Sequence, residues 1–446
     1  MKKRLYSMIV TALVATMMCG CGAQKPNQEP TASQKETETV EQRSTEKAGS
    51  GKEEVTFWIR GAETDAICKA LQADIDTYNA SESGLGHVTI EYVPISDFAT
   101  KFNTAFAGGT APDMVDTGVD QISIRAHMGH YLALDDYLDS WESKGEIING
   151  YLLAGKMLDD GKTYGLGYAP TPCVYVWRKD FFEEAGLDPE LPPGDWAEMF
   201  EFAKKLVVKE GDTVVRGGFS LEPADYRLYT LMARQAGSTL YNPQTNMPEL
   251  ANEAGIRALQ YFEDIQPYSI VYNPAPGAKT LRSFLTSESA MAYITTEELS
   301  SMLSSDPSLK DKIGVSAYVP AVNGVDSTWC GYRLFAINAD SKVKDAAWDA
   351  IRYLMTEDSN RNRLENANVS PAWNTLLEEY QEVNPQVNEP AAKAISVGEP
   401  FPKTDWMASY GEAIRNAQQE VLYGEKTAED AMKAAEKMII MDAELK

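Results

Sequence analysis

The sequence predicts an α/β fold of two lobes, and three features carry that expectation. Residues 53–115 alternate strand-like and helix-like runs in the order βαβαβ, which favours a parallel sheet with helices on its faces. About 394 residues follow the first 52, enough for two cores at roughly 150 residues each. A Gly- and Pro-rich extended stretch at 164–178 then reads as a crossover between lobes.

The first 52 residues are a different kind of chain. A basic start (Lys2, Lys3, Arg4) precedes an apolar run from Ile9 to Met18. That run is too short for the roughly twenty residues a bilayer requires, but it suits the h-region of a signal peptide. The string Met18-Cys19-Gly20-Cys21 resembles the bacterial lipobox, which implies acylation of Cys21 and a lipoprotein signal peptide over residues 1–20. From residue 23 to 52 the only large aliphatic is Val40, so residues 21–52 are expected to form a disordered tether. Its reach is about 30 Å. The expected location is the extracytoplasmic face of a bacterial cell membrane, with the membrane itself a partner through the N-terminal lipid.

The formal net charge is −25, and residues 1–52 carry eight Lys or Arg against five Glu, so the remainder is more acidic still. A field of that sign disfavours nucleic acid and keeps a cationic solute in view. Beyond the lipobox only Cys68, Cys173 and Cys330 occur. Three buried thiols are the preferred reading over one bridge, and neither a disulfide framework nor a zinc knuckle is suggested.

Each element has its own signal. Val55–Ile59 is an unbroken β-favouring run, and Ile67, Leu71, Ile75 and Tyr78 then recur at helical spacing. His87–Val93 returns to strand, Phe98, Phe102 and Phe106 mark one face of a helix over 97–107, and Met114-Val115 is a short buried strand after Pro112. Further strands are expected at Val174–Trp177, Ala290–Ile294, Lys312–Val319 and Leu334–Ile337. A helix over 344–355 turns Ala347, Trp348, Ile351 and Leu354 to the core. The chain ends in helices over 410–422, stopped at Gly424, and 428–441, capped by Thr427. Trp58, Trp177 and Trp348 lie inside these apolar patterns and are assigned to packing.

Four segments in order carry a family resemblance. They are Ala105–Val115 with its Ala-Gly-Gly-x-x-Pro-Asp turn; Tyr164–Tyr168 followed by Val176–Leu187 and Trp196; Gly331–Arg333 through Ser341-Lys342 and Trp348 to Ser370-Pro371-Ala372; and Gly424–Ala431. Together they resemble the extracellular solute-binding proteins of ABC importers, carbohydrate type, the maltose-binding-protein-like family 1. The chain departs from the family pattern at Trp177-Arg178, where members usually have Tyr-Asn. The resemblance implies a periplasmic-binding-protein-like fold, type II, with two α/β lobes joined by crossover hinge strands. One lobe takes residues 53–168 with about 331–370, the other 169–330 with about 371–446.

Motifs for phosphate loops, zinc proteases and nucleophile-elbow hydrolases are missing. His127 and His130 stand three apart without further placed ligands, so no metal or cofactor is expected. Paired carboxylates such as Glu297-Glu298, Asp135-Asp136 or Asp159-Asp160 are read as solvated surface rather than as a glycosidase pair.

Sugar recognition needs flat rings against C–H faces and planar polar groups against hydroxyls. By resemblance the ligand-binding residues are Arg60, Glu63, Asp116, Asp120, Tyr164, Tyr226, Glu297, Trp329, Tyr332, Arg333, Trp406 and Tyr410. The implied function is non-enzymatic: a monomeric substrate-binding lipoprotein takes a sugar or oligosaccharide between its lobes and passes it to membrane permease subunits. The alternatives are a secreted carbohydrate-active enzyme and a binder of a cationic or peptide solute.

Overall fold

A computed structural model describes residues 51–222, 225–271 and 282–444. The signal peptide, Cys21 and the tether, apart from Gly51 and Lys52, lie outside the described residues.

Strand β1 (Glu53–Arg60) begins an alternating arrangement with α1 (Ala66–Ala80), β2 (Gly86–Val93), α2 (Ile95–Gly108) and β3 (Met114–Gly118). β1 pairs in parallel with β2 on one edge and β3 on the other. The strand period of two sorts its side chains between faces. Val55, Phe57 and Ile59 belong to the core that includes Leu71 and Ile75 of α1. Trp58 joins Phe98 and Phe102 of α2 in a second core with Val93 and Val115. A one-residue slip of β1 would exchange these two sets.

Helix α2 stops where the sequence expects, because Gly109 adopts φ 66° and its N–H turns back to the carbonyls of Ala105 and Phe106. Asp113 then binds three distant segments together. Its carboxylate accepts from the Thr56 N–H at 2.9 Å, the Thr56 hydroxyl at 2.8 Å and the Ser341 hydroxyl at 2.7 Å. The Pro-Asp turn and the Ser-Lys turn are thus two ends of one fastening.

Helix α3 (Val119–His127) follows β3 directly, and β4 (Leu166–Arg178) is the long crossover strand. After α4 (Tyr226–Gln235) come β5 (Met291–Thr295), α5 (Thr296–Ser305), β6 (Ile313–Ser316) and the return strand β7 (Thr328–Ile337). Helix α6 (Lys344–Leu354), the two-residue β8 (Gly398-Glu399), α7 (Met407–Leu422) and α8 (Ala428–Glu444) complete the main frame. The sheet runs β6-β4-β7-β3-β1-β2, with β5 on β4 and β8 on β7. From Gly51 onward the chain forms one compact unit with β4 and β7 through the middle of its sheet.

Trp58, Trp177 and Trp348 are buried, and Cys68, Cys173 and Cys330 are free thiols inside the fold. His127 and His130 do not converge. His127 meets Asp159 at 3.0 Å, while His130 stacks on Phe106 at 4.2 Å. Among the described residues no helix is long and apolar enough to cross a membrane.

Replacing Asp113 by Ala orphans the Thr56 N–H and the Ser341 hydroxyl. Asp113→Ala is therefore expected to lower stability by about 1–3 kcal/mol, read as a fall in the urea midpoint at unchanged m-value.

Candidate ligand-binding cleft

Strand ends and helix starts converge on one place. β3 passes straight into α3 and β5 straight into α5, while Arg60 stands at the end of β1 and Ile95 just beyond β2. In sheets of this kind ligands lie outside the carboxyl ends of the strands. A cleft of about 510 Å³ occupies that position, and the start of α4 also reaches it.

Beneath the cleft sits a buried ionic knot. Asp116 is fully buried, with Arg333 Nε at 3.1 Å, Arg60 Nη2 at 3.2 Å and the Arg60 backbone N–H at 3.1 Å. Arg333 Nη2 also contacts Asp116 and donates to the Arg60 carbonyl at 2.5 Å. Burial alone would raise the Asp116 carboxyl, but Arg333 and Arg60 outweigh it and hold the group below its ordinary range. Burial would likewise lower the Arg333 guanidinium, yet Asp116 keeps it well above its ordinary value.

A second network lines the opposite wall. Arg282 Nε donates to Glu298 at 2.8 Å and lies 3.5 Å from Glu222, and its Nη2 meets Asp225. Arg227 Nε donates to Asp225 at 2.9 Å and Nη2 lies 3.5 Å from Glu298. Helix capping fixes two of these carboxylates. Asp225 accepts from the Arg227 N–H to start α4, and Glu298 closes a capping box with Thr295 to start α5. The two guanidiniums drive Asp225 well down despite its burial. Glu222, which lacks such close pairing, is pushed up by burial to about 7.

An aromatic group completes the lining. Tyr226 stacks on Phe401 at 4.6 Å, and Trp329 tilts against Phe401 at 5.2 Å with the Arg227 guanidinium 5.5 Å from its centroid. Among the described residues the buried Trp329 indole nitrogen has no hydrogen-bond partner.

Of the residues expected in the site, Arg60, Asp120, Tyr226, Glu297, Trp329, Tyr332 and Arg333 line the cleft. Glu63 is exposed and outside it. Asp116 lies below the surface as the centre of the ionic knot. Tyr164 is turned to Asp160, which accepts its hydroxyl at 2.8 Å. Trp406 and Tyr410 are corrected to packing. Trp406 is buried with its indole N–H on the Asn246 carbonyl at 2.7 Å, and the Tyr410 hydroxyl lies 2.8 Å from that of Thr230. Trp329 is only 6% exposed, so it is a wall of the cleft as well as part of the core rather than a loop ring. Phe401, Arg227, Arg282, Glu222 and Asp225 escaped the sequence reading. Pro400-Phe401-Pro402 and the Thr295-x-x-Glu298 spacing were the visible signals, whereas a contact from Arg282 to Asp225 leaves none.

Cutting Asp116 to Ala strands two guanidiniums that are mostly but not wholly buried, and is expected to cost up to about 3 kcal/mol, measured by denaturant unfolding. Glu222 acts in the opposite pH range. Its folded-state value exceeds the ordinary carboxylate value, so the native state binds the extra proton and stability falls as pH rises from about 4.5 to 7. Glu222→Gln is expected to flatten the melting temperature over that interval, relative to the unmodified protein.

The fold is shared with solved proteins. The cyclic α-maltosyl-1,6-maltose binding protein from Arthrobacter globiformis superposes with TM-score 0.73 at 21% identity, over 87% of this chain and 98% of that one. Among curated relatives, a binding protein of Brucella abortus is 25% identical over 280 residues, covering 61% of this chain and 65% of the relative. The chain thus spans about 65% of the length of the first such relatives it matches. A lactose-binding protein of Rhizobium radiobacter is 23% identical over 68% of this chain and 71% of its own. A protein of Sinorhizobium fredii named as the periplasmic-binding protein of an amino-acid ABC transporter is 26% identical over 59% of this chain and 57% of its own. The family model of the bacterial extracellular solute-binding proteins matches residues 61–361, and the chain belongs to that family.

Proposed function

We propose that this protein captures a saccharide in the cleft and hands it, chemically unchanged, to the permease of an ABC transporter. The observation that carries this reading is the makeup of the cleft itself. The stacked Tyr226 and Phe401 stand beside Glu297, Asp120 and Arg60, the combination of rings and planar polar groups that pyranoses require. Although the chain is strongly acidic, most of the charge at the cleft is paired. Asp116, Asp120, Glu222, Asp225, Glu297 and Glu298 meet Arg60, Arg227, Arg282 and Arg333, and Glu222 is pushed up to about 7. The excess of carboxylates is small, so a neutral polyhydroxyl solute meets no strongly charged wall, and a cationic solute stays a competing reading. The lactose and cyclic-maltosyl-maltose relatives support a sugar, and the amino-acid relative is the competing reading.

Capture works by closure of two lobes, residues 53–168 with about 331–370 against 169–330 with about 371–446. The bend falls where β4 and β7 cross. There Gly331 faces Thr171, flanked by Pro170 and Pro172, which have no N–H to give to a ladder. A solute touching both walls stabilises the closed form only by its differential affinity for that form. Cys21 carries the lipid that keeps the globule at the membrane, and the acting species is a monomer.

Melting the purified chain against a saccharide library tests this. A true ligand at one hundred times its Kd adds about 2.7 kcal/mol of stability, and amino acids tested alongside decide against the rival. Glu297, which has no hydrogen bond or ion pair among the described residues, provides the matching variant. Glu297→Ala is expected to leave ligand-free stability within about 0.5 kcal/mol while weakening binding at least about tenfold, the worth of one charge-assisted hydrogen bond. A raised Tm with amino acids alone would replace the saccharide reading.

A further inference from the structure

A second cavity, of about 570 Å³, adjoins the cleft and shares Tyr332 and Phe401 with it. The two spaces approach each other along one stretch of β7. β3 is in register with β7 only from Arg333 onward and β8 only up to Trp329, so Cys330–Tyr332 pair with β4 alone. Gly331 and Tyr332 border the cleft, and Tyr332 borders the second cavity as well.

The charge in this cavity is opposite in sign to that of the chain. Its charged lining residues are Arg234, Lys403 and Glu399. Arg234 is 7% exposed, and its Nη1 donates to the Glu399 carbonyl at 2.7 Å. Its Nε is 3.4 Å from the Glu399 carboxylate but buried without a hydrogen bond among the described residues. The Glu399 side chain is 69% exposed, so water screens its charge. The Lys403 ammonium makes no hydrogen bond or ion pair among the described residues. Burial and then Arg234 push it down to about 8, which still leaves it protonated at neutral pH. The surrounding wall is largely apolar, with Leu153, Leu158 and Ile395. Two partly enclosed cations share one screened carboxylate, Glu399, and an anionic ligand group would relieve the remaining cost.

We infer that this cavity is a carboxylate subsite: the solute is an acidic saccharide whose neutral rings lie in the cleft and whose carboxylate is held by Lys403 and Arg234. The inference rests on the saccharide reading above. The same chemistry could be met by a separate small carboxylate, and the experiment distinguishes the two sources.

Isothermal titration of the full chain at pH 7 uses neutral di- and trisaccharides, the same compounds with one terminal residue oxidised to the uronate, and free glucuronate. At least one oxidised compound is expected to bind tenfold or more tightly than its parent. Lys403→Met should erase that gain while leaving the affinity for the neutral parent and the ligand-free Tm essentially unchanged. Equal affinities for parent and oxidised compounds in the unmodified protein overturn the inference without recourse to any variant, and so does a preference that survives Lys403→Met. Glucuronate that binds without affecting the neutral parent assigns the cavity to a separate anion and overturns it too. If no saccharide of either kind binds, the saccharide reading falls and this inference with it.

Discussion

The buried pairing of Asp116 with Arg333 and Arg60 is the constraint on which the site depends. Asp116 comes from the middle of β3, Arg333 from the middle of β7 and Arg60 from the end of β1, strands that are far apart in sequence and adjacent in the sheet. The fully enclosed carboxylate would be prohibitive alone, and the two guanidiniums, mostly buried at the cleft floor, would be costly without it. Together they satisfy one another, and the backbone of Arg60 contributes both a donor and an acceptor. The knot sets where the return strand meets the first sheet, and so where Gly331, Tyr332 and Trp329 stand relative to the cleft.

The opposite wall follows the same logic with different parts. Carboxylates are placed at helix starts by capping, which satisfies backbone N–H groups and favours negative charge at the positive end of the helix dipole. Arg227 and Arg282 then draw Asp225, Glu298 and Glu222 into one mesh. A cleft whose charges are largely paired can therefore exist in a chain of net charge −25. Such a mesh holds oriented donors and acceptors ready, so a solute rich in hydroxyls exchanges water for fixed partners at little reorganisation cost.

Much of the frame was legible because its signals are local. The β-favouring run at Val55–Ile59, the three phenylalanines of α2 and the glycines at 108–109 each dictate an element within a few residues, and the elements appear where those signals place them. Trp58, Trp177 and Trp348 could be given to packing for the same reason. The site was legible only in part. All the candidates were assigned by resemblance; Arg60, Asp120 and Glu297, which follow strands, line the cleft, whereas Trp406 and Tyr410 are buried. What no periodicity carries is the partner of a side chain across long sequence separation: Arg282 with Asp225, Phe401 with Tyr226, Arg333 with Asp116. Those contacts arise from tertiary packing alone.

Closure of the cleft around an intact solute, by bending at the β4 and β7 crossing, is the proposed step of capture. Spin labels at the exposed Ser96, beside the cleft on α2, and Ser300, on α5, report the gap directly by double electron–electron resonance. With a saturating saccharide that is recovered unchanged, the label separation is predicted to shorten and its distribution to narrow. A separation that stays the same while the saccharide binds tightly would contradict the account.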